Sequence, residues 1–129
     1  MPRMQASMFA AVGVGAMLGA WARWGLAGWL NPLTPGLPLG TLAANVGGGY
    51  AVGLAVAFFA AHPSMAPEWR LACITGFLGA LTTFSAFSAE SMALLQAERY
   101  TAALAHSGAH LFGALLATFL GYATYRLLA

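Results

Sequence analysis

The sequence predicts an all-α integral membrane protein of four transmembrane helices, the third of them interrupted, and three observations carry that prediction. Of its 129 residues 60% are hydrophobic and only 6% charged, too little polar surface to cover a soluble domain of this size. The apolar residues fall into four runs, Ser7–Leu30, Leu39–Ala61, Leu71–Gln96 and Thr101–Leu127. Each exceeds the ~20 residues a helix needs to cross a ~30 Å hydrocarbon core. The third run also holds Thr75 to Glu90, where two glycines, five hydroxyl residues, three phenylalanines and a carboxyl group share 16 positions. A plain anchor needs none of these, and polar or irregular backbone at membrane depth is tolerated only where protein or a water-filled cavity covers it. Residues 1–129 are thus read as a single four-helix transmembrane domain with an internal site.

The first run follows Arg3 and resembles the start of a secretory signal, but it continues to Leu30 and three similar runs follow, so it is expected to be a retained helix. Gly15 and Gly19 form a small-xxx-small pair that lets another helix approach closely. Arg23 stands about 12 Å before the Asn31-Pro32 break at 1.5 Å per residue, near the limit of a snorkelling guanidinium. Two readings stay open for it. It is an interfacial arginine beside belt tryptophans Trp21, Trp24 and Trp29, or a vestibule cation that attracts anions.

The second run carries no charge but holds Asn45 within Gly40-Thr-Leu-Ala-Ala-Asn45, and Gly49 and Gly53 repeat the close-packing spacing. An amide offers two donors and an acceptor oxygen, all of which need partners in lipid. Asn45 therefore makes an inter-helix hydrogen bond or lines a pore. In the third run Gly76 and Gly79 weaken helix just where Thr82 and Thr83 can bond backbone, which predicts a break at about Gly79–Thr83. Carbonyls freed there could hold a hard cation. Beyond it, Phe84 and Phe87 share one helical face and Ser85 and Ser88 another. Glu90 reads as an interfacial carboxylate facing water, with a proton or ion relay as the alternative.

In the fourth run His106, His110 and Thr118 fall on one i, i+4 face. Two histidines at that spacing can bind a metal, but no third ligand is evident from sequence. They line a path or satisfy local partners. The composition excludes other classes. The five basic residues are scattered arginines, so no basic patch suggests nucleic acid. Cys73 is alone, which excludes an intramolecular disulfide. No nucleophile, base and acid set emerges, so an enzyme is not expected.

Three motifs together, Gly19-Ala-Trp-Ala-Arg-Trp24, Gly40-Thr-Leu-Ala-Ala-Asn45 and Gly76-Phe-Leu-Gly-Ala-Leu-Thr-Thr-Phe-Ser-Ala-Phe-Ser-Ala-Glu90, resemble the bacterial fluoride channels of the Fluc (CrcB) family over nearly the whole chain. The third is the specific one. The resemblance implies a passive fluoride-selective channel of the cell inner membrane that lowers cytoplasmic fluoride, built as a homodimer of antiparallel, dual-topology subunits. It implies that Phe84 and Phe87 are pore phenylalanines, Asn45 the pore asparagine and Arg23 the vestibule arginine. It further implies that the backbone carbonyls of Gly79 and Thr82, from both subunits, hold a structural sodium ion at the dimer centre. Thr41, Ser85 and Ser88 join the candidate pore as hydroxyl donors, and His106 and His110 stand where the family usually carries a hydroxyl-rich track. That departure leaves open which fourth-helix side chains complete the pore.

The donors agree with the chemistry, because a pore for a small, strongly hydrated anion must replace its water with amide and hydroxyl hydrogens. Phenylalanine ring edges carry positive quadrupole charge and face an anion without trapping it. A small proton-coupled multidrug exporter using Glu90 is the alternative transport reading. A non-transporting assembly subunit, whose polar residues only join helices, is the alternative of another class.

Overall fold

The computed structural model describes residues 2–129, and its helices follow the apolar runs closely. Helix α1 (Pro2–Leu30) begins before Ser7 and leads into a 3-10 turn, Asn31–Leu33. Three prolines between Asn31 and Pro38 stop the helix, and Gly36 supplies the left-handed residue of the turn at φ +85°. The Asn31 side chain then accepts a 2.7 Å hydrogen bond from the Gly40 amide, which meets one orphan donor at the start of α2 (Leu39–Ala61).

The third span, Pro67–Gln96, is composite. A turn of helix α3 (Pro67–Arg70) continues into a π-helical stretch, Leu71–Leu78, and a last turn α4 (Gly79–Leu81). Thr82 and Thr83 are extended, with ψ of 151° and 118°, before helix α5 (Phe84–Gln96) begins. Glu98 turns the chain at φ 57° into α6 (Tyr100–Leu128). Among the described residues, four spans are long and apolar enough to cross a membrane.

Two parallel pairings build the bundle. Along α1, Gly15 and Gly19 lie against the third span so closely that a Cβ at either would collide with the carbonyl oxygens of Ala72 and Phe77. Along α2, Gly53 lies against the Thr118 carbonyl, and Gly121 of α6 lies against that of Tyr50. Small residues let the backbones meet, and dispersion over that contact replaces the hydrophobic drive that lipid removes. The core is accordingly made of Ala44, Ala57, Ala103 and Ala117 with Phe59, Leu78 and Leu94. Large apolar side chains point outward instead, Phe9, Leu104, Phe112 and Phe119 among them. That inversion suits a hydrocarbon surround.

Candidate functional site

The site forms where α2 and α6 flank the extended Thr82-Thr83 pair. Leaving helical geometry inside a bundle frees backbone groups, and each must find a partner. Asn45 supplies two: its Oδ1 accepts the Thr83 amide at 2.7 Å, and its Nδ2 donates to the Thr83 carbonyl at 3.0 Å. The Thr83 hydroxyl accepts the Ala86 amide at 3.1 Å and so caps α5, a role that threonine fills well. Arg23 reaches across from α1 to donate from Nε to the Ala80 carbonyl at 3.1 Å. The Thr82 hydroxyl donates to Leu78 O at 2.9 Å.

These bonds redistribute donors. In a continuous helix the Thr83 amide would serve Gly79 O and the Ala86 amide would serve Thr82 O. Here both amides go to side chains, so the Gly79 and Thr82 carbonyls lose their helical donors.

The sequence-selected residues divide into two groups. Phe84 and Phe87 stand edge to face, with centroids 5.3 Å apart, and Phe87 also lies against His106 at 5.5 Å and His110 at 4.9 Å. Both histidines are 4% exposed, and their rings are 4.4 Å apart. Asn45 Nδ2 meets His110 Nδ1 at 2.9 Å, which brings α2, α5 and α6 to one point. Ser85 and Ser88 lie outside this cluster. They are exposed, and their hydroxyls meet the local partners Thr83 Oγ1 and Phe84 O at 3.2 and 2.9 Å.

Glu90 differs from the expected water-facing carboxylate. Its side chain is 18% exposed; the buried Thr41 hydroxyl donates to Oε1, and His106 Nε2 sits 3.0 Å from Oε2. His106 Nδ1 then meets Ser91 Oγ at 2.9 Å, and Ser91 meets Ser107 at 3.2 Å. Sequence reasoning missed Ser91 and Ser107, although one signal was present: Phe87, Glu90 and Ser91 are spaced i, i+3, i+4 and share a helical face.

A cavity of about 620 Å³ opens beside the cluster, lined by Asn45, Thr83, Phe84, Phe87, His110 and Thr118 among others. Its walls are mostly apolar, Phe84, Phe87 and Leu111 among them, and bring Asn45 and His110 to the same space with no arginine among the described lining residues, so a small anion would find weak contacts and no strong trap. Glu90, His106 and His110 also offer one ligand atom each within 4.8 Å of one another, which supplies the third metal ligand that the helical spacing alone lacked.

The family model described as CrcB-like protein, Camphor Resistance (CrcB), matches residues 10–122. The Fluoride-specific ion channel FluC of Cupriavidus pinatubonensis is 60% identical over 121 residues, covering 94% of this chain and 96% of that protein. The channel of the same name from Ralstonia nicotianae is 57% identical over 120 residues, with 93% and 95% covered. That from Pseudomonas putida is 57% identical over 115 residues, with 89% and 91% covered. With four apolar spans and a match over most of its length, the chain is a multi-pass membrane protein that belongs to the CrcB family.

Proposed function

We propose that this protein is a fluoride-selective channel that lets fluoride leave the cell passively and so lowers its cytoplasmic concentration. One observation carries the reading: the cavity lined by Phe84 and Phe87 also takes in His110, a buried side chain with an unmet nitrogen, in a chain whose relatives bear the name fluoride channel over nearly their full length. Asn45 and His110 line the path, Thr41 and His106 stand behind them at Glu90, and Ser85 and Ser88 lie at its outer edge. Arg23, held at the Ala80 carbonyl, draws anions toward the mouth without entering the cavity wall. The exporter reading needs Glu90 as a free proton-binding acid, whereas here it sits between Thr41 and His106.

The working unit is an antiparallel homodimer in the inner membrane. Phe84 is 77% exposed on the single chain, so a second copy is needed to enclose the path on that side. With four spans both ends share a side, which holds Arg3, Arg70 and Arg126 against Arg99 and Arg23 toward the other. So small a bias supports insertion in both orientations. The Gly79 and Thr82 carbonyls, relieved of their helical donors, fit a hard monovalent cation such as sodium, and Gly79 is exposed, as a site shared between copies requires. Such an ion would bind neutral backbone oxygens and join the subunits.

Fluoride-loaded liposomes containing the purified protein test the function. A fluoride electrode should record efflux that chloride-loaded liposomes do not match and that needs no proton gradient. Efflux no faster than from protein-free liposomes would overturn the reading.

A further inference from the structure

The hydrogen bonds around Asn45 determine a proton position on His110. A backbone amide can only donate, so the Asn45 atom facing the Thr83 N–H must be the oxygen, and chemistry alone sets the orientation of the side-chain amide. The nitrogen is then the atom that meets both the Thr83 carbonyl and His110 Nδ1. It carries two hydrogens and no usable lone pair, so both hydrogens are engaged. His110 Nδ1 must therefore present its lone pair, which puts the proton of the neutral ring on Nε2.

That Nε2–H is buried and meets no acceptor among the described residues. A desolvated donor without a partner is unfavourable, and an anion answers it directly. A metal ion does not, even though Glu90, His106 and His110 bring ligand atoms together. Coordination through Nε2 would move the proton to Nδ1 and set it against the Asn45 hydrogens. Coordination through Nδ1 would break the Asn45 bond.

We propose that Asn45 is a positioning residue that holds His110 as the Nε2–H tautomer, so that the imidazole N–H, and not the Asn45 amide, is the donor offered to fluoride. The proposal rests on the fluoride-channel reading above. A serine or threonine hydroxyl rotates to donate wherever it is needed, whereas an imidazole donates from a fixed nitrogen and needs its tautomer chosen for it. Phe87 and His106 pack against the His110 ring and oppose its turning over. The same Asn45 oxygen withdraws the Thr83 amide from Gly79 O, so one side chain shapes both the helix break and the anion donor.

Solid-state NMR of the protein in lipid, with isotope-labelled imidazole nitrogens, reads the tautomer directly; the His110→Ser variant assigns the signals by their loss. At about pH 7.5, where an ordinary imidazole is mostly neutral, His110 should show a protonated Nε2 and a bare Nδ1, and added sodium fluoride should shift the Nε2 signal. In Asn45→Asp the carboxylate still accepts from Thr83 but can only accept from His110. The ring should then turn to the Nδ1–H tautomer, and fluoride efflux should fall by roughly tenfold or more, the scale of one lost charge-assisted hydrogen bond. A wild-type His110 protonated on Nδ1, or an Asn45→Asp protein that keeps Nε2–H, overturns the positioning role. If Asn45→Asp does not fold, the wild-type spectrum alone decides. Wild-type liposomes without fluoride efflux would instead overturn the channel reading, whichever tautomer is found.

Discussion

The seam between α2 and α6 has two halves that hold together for different reasons. Toward the end of α2, Gly53 meets the Thr118 backbone, and Gly121 of α6 meets that of Tyr50, with no side chain between them. Toward its start, Thr41 and Asn45 reach Glu90, Thr83 and His110 through hydrogen bonds. The glycine half is specified by volume and admits nothing larger. The polar half is specified by donors and acceptors, and exchanging one partner changes proton positions rather than helix spacing. A channel needs both: the first keeps the helices at one distance, and the second can offer donors to an ion that displaces water.

A side chain placed in the glycine half should have the largest effect. Gly53→Val drives methyl groups into the Thr118 carbonyl, and backbone collisions cost more than the ~1–3 kcal/mol typical of side-chain overpacking. We expect no monodisperse protein on size exclusion in detergent; a normal elution profile would show that the seam tolerates separation. Asn45→Ala in the polar half should act differently. It strands the Thr83 amide and carbonyl, at about 1–3 kcal/mol for each buried group left unmet. The protein should still fold, with a lower melting temperature and strongly reduced fluoride efflux.

Phe87→Ile keeps bulk while removing the ring that stacks on His106, tilts over His110 and meets Phe84 edge to face. Melting should change little while efflux falls severalfold. Equal efflux would remove Phe87 from the path. The smallest effects are expected where local backbone already engages the hydroxyl. Ser88→Ala loses only an exposed bond to Phe84 O, and Thr82→Ser keeps a hydroxyl for Leu78 O. Both should stay near wild type in efflux and in melting, and a large loss of efflux in Ser88→Ala would assign that hydroxyl to the ion.

The two halves also differ in how much of them can be read from sequence. The four spans and the Gly49, Gly53 spacing are periodic signals, and periodicity survives without knowledge of the partner helix. Hydrogen-bond partners do not follow from spacing. The position of Glu90 between Thr41 and His106 depends on how α2, α5 and α6 are rotated against one another, and an acid near the end of a span reads as water-facing when only its own segment is considered. Ser91 and Ser107 escaped notice for the same reason, since each gains meaning only from His106. Asn45 was legible as a residue that must be satisfied. That its amide would be fully engaged by Thr83 and His110 required the fold.

Fluoride selectivity is read most directly from the reversal potential of the reconstituted protein in a planar bilayer with fluoride on one side and chloride on the other. The buried His110 Nε2, which meets no partner among the described residues, lies in the polar half of the seam, and a small, strongly hydrated anion would gain most from such a site. A fluoride channel should give a steady current that reverses close to the value for a membrane permeable to fluoride alone. A current that reverses near zero, with chloride carried as readily as fluoride, would contradict it.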